Sequence, residues 1–334
     1  FVVPKSIPII FPIIFISFYF VSPPRSTASA TLAGSPATGP ECSGRQTRSH
    51  LSKAVPLGKH GPRYAKMSEI LADDVRNSIF AAVMEYRELT STEYGDIDSR
   101  ILYEDNHIIV INKKAGEITQ GDKTGDEPLG DTLKAFIAQR DAKPGKVFLG
   151  IPHRIDRPVS GIAMFAKTSK ALERLNAMFR DGEIHKFYWA LVGREPVPSE
   201  GELEDMIYRV EKQNKSYICK AGQRRADAKL ARLRYRVTGR TDRYFLVEVQ
   251  LLTGRHHQIR CQLAGIGCPI KGDLKYGAPR SNPDGGISLH ARRITFIHPV
   301  RKEEITIEAP VPSSWKGIDS ILLNGGTRQD TSNK

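Results

Sequence analysis

Residues 152–168 read PHRIDRPVSGIAMFAKT, a charged pentad, His153-Arg154-Ile155-Asp156-Arg157, that runs within a few residues into an apolar stretch. Residues 161–167 (GIAMFAK) have the length and apolarity of a buried strand, and residues 148–152 supply a shorter apolar strand on the near side. The pentad therefore lies on a connection between two core strands. Flanked by Arg154 and Arg157 and close to a chain reversal, Asp156 is kept ionised by its neighbours and can act as a nucleophile. The competing reading of the pentad alone is a surface ion-pair network without chemistry.

Outward from this segment, helices and strands follow one another at short intervals. Upstream, residues 101–112 (ILYEDNHIIVIN) read as two short strands about a turn at 104–106, residues 116–130 as a glycine-rich surface loop and residues 131–140 as a short helix. Further back, Leu71, Val75, Ile79 and Val83 recur every fourth residue behind Ser68, which predicts an amphipathic helix reaching about Glu88. Downstream, Ser169 caps a helix with Leu172, Leu175 and Phe179 on its apolar face and Gly182 at its end. Residues 186–192 (KFYWALV) return as a strand, and residues 245–251 (FLVEVQL) alternate as a half-buried antiparallel strand should. Residues 287–309 give two more strands about His298-Pro299, and the Gly/Asn/Ser-rich stretch past Trp315 reads as a disordered tail.

A second charged motif, TGRHHQIR, occupies residues 253–260. A helix starting at about Arg255, with Ile259, Leu263 and Ile266 at core spacing, puts His256 and His257 on one face with Arg260. That face lies at a helix N-terminus, whose free N–H groups favour an anion. Adjacent residues on a helix point about 100° apart, and no HExxH or carboxylate accompanies the two histidines, which argues against a metal site. Residues 212–236 carry nine Lys/Arg interleaved with Tyr217, Ile218, Leu230, Leu233 and Tyr235. Such a basic hairpin suits a phosphate backbone, although a solvated strand pair fits as well.

The 334 residues, 40% hydrophobic and 26% charged, suffice for a large buried core and exclude a disulfide-stapled miniprotein or a multi-span membrane protein. Four scattered cysteines, Cys42, Cys219, Cys261 and Cys268, form no zinc spacing and fit a reducing, cytoplasmic setting. Of the net +13, +7 falls in residues 1–66. Those residues combine a proline-broken apolar run with a Ser/Ala/Thr-rich basic stretch, and the first Met is Met67. They are expected to be an extension without a fold of its own, lying upstream of the protein proper or added for expression; a targeting peptide or membrane anchor are the alternatives. Residues 67–98 are then an N-terminal helix and connection, residues 99–317 the folded domain and residues 318–334 the tail.

Taken together and in this order, the motifs resemble those of the RluA-type pseudouridine synthases, which isomerise uridine in ribosomal or transfer RNA. The resemblance spans residues 101–315 and rests on ILYEDNHIIVINKKAG (101–116), the pentad block, FRDGEIHKFYWALV (179–192), LLTGRHHQIRCQLAGIGCPIKGDLKYG (251–277) and LHARRITFIHPV (289–300). It implies an α+β domain with a long, bent, mainly antiparallel sheet, flanking helices and a central basic cleft. It also implies roles: Asp156 as the catalytic aspartate, Tyr188 as the tyrosine stacked on the target uracil, Arg260 as the aspartate's basic partner and Arg154 as the side chain that fills the gap left by the flipped uridine. Arg157, Lys186, Arg255, His257 and Gln258, on the same segments, complete the expected substrate-binding set.

Pro158-Val159 and His256 depart from the residues common in the family, and residues 67–99 do not resemble the small S4 RNA-binding module of many relatives. The isomerisation conserves atoms, so its stoichiometry requires no cofactor, ATP or metal. The expected partner is RNA alone, bound by a monomer with no stable protein partner and no membrane contact from residues 67–334. The rivals are a non-catalytic RNA-binding module with the same fold and a carboxylate-dependent glycosidase, which needs a second carboxylate at a matching motif.

Overall fold

The structure, a computed structural model, describes residues 86–318 except Lys123, Pro144 and Lys316. The expected extension, the helix over 68–88 up to residue 85, and nearly all of the tail lie outside the described residues. Among those described, ten strands form one sheet. The first half contains α1 (Ser91–Ser99), β1 (Ile101–Glu104), β2 (Ile108–Lys113), α2 (Leu129–Arg140), β3 (Ser160–Ala166) and α3 (Ser169–Asp181). The second half contains β4 (His185–Val192), β5 (Glu200–Val210), β6 (Lys215–Ile218), β7 (Lys229–Arg240), β8 (Phe245–Leu251), α4 (Gln258–Gly265), β9 (Leu289–Ile297) and β10 (Glu304–Glu308). The strand order is β1-β2-β3-β9-β4-β8-β7-β5-β6, with β10 on β9.

Local chemistry accounts for the differences from the expected elements. Helix α1, in a stretch read as a connection, has no strong apolar periodicity; a reciprocal cap starts it. The Thr90 hydroxyl accepts the Glu93 N–H at 3.2 Å, and the Glu93 carboxylate accepts the Thr90 N–H at 2.9 Å. Helix α3 is capped by Thr168 rather than Ser169, and Gly182 ends it in the left-handed conformation at φ 78°. The strand expected over 148–152 shrinks to a single bridge between Gly150 and Ala166, because Pro152 has no N–H to offer a ladder. Helix α4 starts at Gln258, three residues later than expected.

The two halves of the sheet meet where β3 and β9 run parallel for only two pairs, Ser160 with His290 and Gly161 with Ala291. Gly161 has φ 106°, and a Cβ there would lie 2.4 Å from the Ala291 carbonyl oxygen, so the close approach needs glycine. Ser160 Oγ lies 2.8 Å from Nδ1 of the fully buried His290, whose Nε2 faces the Ala309 carbonyl at 3.3 Å. Burial pushes this imidazole down to about 4, so a neutral ring donates from Nε2 and accepts the serine proton at Nδ1. One main apolar cluster runs through both halves: every residue of β3 is buried, as are Ile108–Ile111 of β2, whereas β7 alternates, with Ala231, Leu233 and Tyr235 inside.

That alternation also settles part of the basic stretch. Arg232, Arg234 and Arg236 lie on the opposite face of β7, where they pair with Glu202 (2.7 and 3.0 Å) and Glu248 (3.3 Å) of neighbouring strands. They are cross-strand partners rather than free phosphate contacts.

Gly161→Ala should destabilise the protein by about 2 kcal/mol or more, since it combines a strained positive φ with a backbone clash. Urea denaturation checks this; an unchanged midpoint would mean that the β3–β9 junction yields.

Candidate active site

The pentad leads into β3 at this junction, and its backbone is held from several sides. The Arg157 carbonyl accepts the Gly116 N–H at 2.8 Å, the Pro158 carbonyl accepts the Ile287 N–H at 3.0 Å, and His153 Nε2 accepts the Met164 N–H at 3.0 Å. Lys113, with no exposed surface, sends its ammonium to three carbonyls, those of Lys114 and Glu117 at 2.8 Å and of Arg157 at 3.2 Å. Burial pushes this lysine down to about 8, opposed by Glu117 and Asp156. Ile155 and Val159 are buried, and the Asp156 side chain next to Ile155 is 29% exposed. It borders a cavity of about 910 Å³.

The cations facing Asp156 are not the flanking arginines. Arg260, from α4 and only 4% exposed, donates from Nη1 to Asp156 Oδ2 at 3.2 Å. Its Nε and Nη2 grip both oxygens of Asp273 at 2.7 and 2.9 Å, and Asp273 is itself buried. The guanidinium is thus fixed by one carboxylate and offers its remaining edge to the other. Burial opposes its charge, but Asp273 first and then Asp156 raise it above the ordinary arginine value.

His257 also reaches Asp156, Nε2 to Oδ2 at 3.4 Å. It precedes α4 in the left-handed conformation at φ 52°, and this backbone turn lays the neighbouring His256 and His257 rings on each other, 3.8 Å between centroids and 22° between planes. The helical face expected to hold both histidines with Arg260 is therefore replaced by a stacked pair before the helix. Burial, then Arg260, push His257 down to about 2. Its Nε2 faces the carboxylate, and its Nδ1 lies 3.0 Å from the Tyr276 hydroxyl, which accepts the Ser216 N–H at 2.9 Å and donates to the Ser216 carbonyl at 3.1 Å.

Tyr188, half-buried on β4, borders the same cavity. Burial, and secondarily the charge of Asp156, push its phenol well above the usual range, so it stays protonated. Lys186, two residues earlier on β4, lies with Nζ 5.7 Å from the Phe179 ring centroid, and burial lowers it. Arg154 is exposed at the cavity and has no hydrogen bond or ion pair among the described residues.

The other expected binding residues are engaged within the protein. Arg157 pairs with Asp126 and donates to Thr124 Oγ1 at 3.0 Å, which ties the pentad to the glycine-rich loop. Arg255 is exposed but donates from Nε to the Leu230 carbonyl at 2.8 Å. Gln258 is buried; its oxygen accepts from Thr253 Oγ1 at 2.7 Å and the Arg255 N–H at 3.0 Å, and its nitrogen donates to the Arg232 carbonyl at 3.0 Å. The sequence reading assigned no role to Lys113, Asp273 or Tyr276, although the last two stand in the quoted block ending GDLKYG.

One long sheet thus carries a partly exposed carboxylate, a buried guanidinium against it and a protonated tyrosine around a single cavity. The solved human RNA pseudouridylate synthase domain containing 4 has this fold, with a TM-score of 0.57 at 25% identity over 70% of this chain and 96% of that one. The chain belongs to the RNA pseudouridylate synthase family, whose sequence model matches residues 107–265. It is 32% identical over 237 residues to ribosomal large subunit pseudouridine synthase C of Vibrio parahaemolyticus, covering 67% of this chain and 69% of that protein. It is 34% identical over 233 residues to the uncharacterized RNA pseudouridine synthase YlyB of Bacillus subtilis (strain 168), covering 69% and 75%. The protein is an isomerase that converts uridine to pseudouridine in RNA, and the α+β fold expected from the resemblance is the one found.

Among the neutral histidines of the described residues, His153 and His290 give a pH signature. His153, stacked on Phe179 at 4.7 Å, is pushed down to about 3 by burial, and His290 to about 4. Unfolding frees both to bind protons below about pH 6.5. Folding stability should therefore be constant above that pH with respect to these groups and fall on acidification toward pH 4, by about 1.4 kcal/mol per pH unit for each. Urea titrations of wild type and His290→Gln check this; an equally steep acid slope in the variant would contradict it.

Proposed function

We propose that the protein modifies uridines in structured ribosomal or transfer RNA, more plausibly ribosomal, with Asp156 as the catalytic carboxylate. The observation that carries this reading is the setting of Asp156: partly exposed in a nucleotide-sized cavity, with Arg260 at 3.2 Å and Tyr188 on the wall. Support for a ribosomal target comes from the printed name of the Vibrio relative, a ribosomal large subunit synthase.

The reaction breaks N1–C1′, turns the base and forms C5–C1′; the C5 proton leaves and N1 gains one. Asp156 has three routes: attack on C1′, addition to C6, or removal of a C2′ proton to give a glycal. All three need an ionised carboxylate beside a cation that does not surrender a proton at neutral pH, which arginine provides and histidine or lysine does less well. Tyr188 serves first as a neutral platform for the uracil. A route in which Asp156 becomes an ester removes the negative charge that helps hold the phenol protonated, which eases loss of the phenol proton to solvent and so formation of the phenolate that can take up the C5 proton. Arg154, without a hydrogen bond or ion pair among the described residues, holds the RNA where the uridine has left the stack. Lys186 meets a phosphate. Cys219, Cys261 and Cys268 are free thiols, which supports a reducing, cytoplasmic location.

Asp156→Ala is expected to abolish tritium release from RNA labelled at uridine C5, leaving RNA affinity within about twofold. Persistent release would remove Asp156 from the chemistry.

Exposed Lys220 and Arg224 carry no ion pair among the described residues, unlike Arg225, which pairs with Asp227 at 2.9 Å. Replacing Lys220 and Arg224 by Ala should flatten the slope of log affinity against log salt by about 1 to 2. An unchanged slope would place this turn away from the RNA.

A further inference from the structure

One part of the cavity lining has no role in the reaction as proposed: Arg209, Asn214, His256 and Lys275. His256 is half-buried there, stacked on His257, which itself reaches Asp156 at 3.4 Å. Both ring nitrogens of His256 meet groups that call for a proton. Nε2 lies 3.1 Å from Oδ1 of Asn214, and that atom is fixed as the amide oxygen because Arg209 Nη2 donates to it at 3.0 Å. Nδ1 lies 2.9 Å from Ser216 Oγ, whose one hydrogen is directed to the His256 carbonyl at 2.7 Å. A neutral imidazole has a single N–H and leaves one of these contacts lone pair against lone pair; an imidazolium satisfies both.

Charge opposes that second proton. Burial, Arg209, Arg260 and Lys275 disfavour the cation, and only Asp156 attracts it, so the free ring is held down at about 4. His257, neutral beneath it, supplies no counter-charge. Lys275 Nζ is 3.0 Å from the Asn214 carbonyl and is exposed on the same wall. The hydrogen-bond framework is built for a cation, and the wall around it lacks an anion.

We propose that this wall is a phosphate subsite for the RNA strand next to the target uridine, and that His256 enters it as an imidazolium, taking up a proton as RNA docks. The inference rests on the reading of the cavity as the RNA site. A phosphodiester is anionic throughout the working pH range and offsets the repulsion among Arg209, Lys275 and a charged His256.

The test is binding of an oligouridylate of about twelve nucleotides, whose bases do not titrate between pH 5 and 8, at constant ionic strength. The bound ring has the higher proton affinity, so binding is strongest at low pH and weakens as the bound-state proton is lost. The dissociation constant should rise by up to about tenfold per pH unit over part of this range. Calorimetry in two buffers of different ionisation heat should report uptake of up to about one proton near pH 6. His256→Gln should flatten the pH dependence to less than about twofold. An affinity of the wild-type protein that is independent of pH, without proton uptake, or an undiminished slope in His256→Gln, would overturn the proposal. Absence of binding at every pH would instead remove the RNA reading of the cavity, and this subsite with it.

Discussion

The guanidinium of Arg260, divided between Asp273 and Asp156, is the interaction on which the site depends. Asp273 takes two of its edges in a bidentate grip inside the protein, and the third points at the carboxylate facing the cavity. Burying a guanidinium costs several kcal/mol unless its donors are met, and removing one member of a buried pair costs about 3–5 kcal/mol. Asp273 therefore makes it possible to hold a cation under Asp156 without exposing that cation to water. The same grip sets direction: a planar fork fixed at Nε and Nη2 has little freedom at Nη1.

The sheet supplies the other half of this geometry. Asp156 and Arg260 are more than a hundred residues apart, and they meet because the connection into β3 opens at the two-pair junction with β9. Gly161 permits that close approach, the Ser160–His290 contact ties its flank, and Lys113 collects three carbonyls beneath the loop. Around the site the histidines are neutral and the arginines and lysines charged. The field felt by an RNA phosphate is therefore set chiefly by arginines, which do not titrate near neutrality, with His256 the place where an added anion changes the balance.

Much of this architecture is legible in sequence because it follows from local pattern. The apolar run after HRIDR, the alternation of FLVEVQL and the cap and glycine around α3 each depend on neighbours within a few residues, and the order of the motifs carries the resemblance. What sequence hides is partnership. Arg157 looks like a cation for Asp156 but turns to Asp126, and the arginines of β7 look like an RNA face but pair with Glu202 and Glu248 across strands. Helical spacing put His256 and His257 on one helix face with Arg260, whereas one positive φ at His257 stacks the two rings ahead of the helix. Asp273 and Lys113 drew no attention as isolated charges, since their importance comes from being buried against a specific partner.

The central claim is that Arg260 acts through its shape as well as its charge. Single-turnover pseudouridine formation by Arg260→Lys, with RNA affinity measured in parallel, tests it most directly. Lysine keeps the charge but cannot grip both oxygens of Asp273 and still reach Asp156, so the rate should fall by about a hundredfold or more, corresponding to about 2.7 kcal/mol, while RNA binding is retained. A lysine variant that isomerises uridine at close to the wild-type rate would contradict the account.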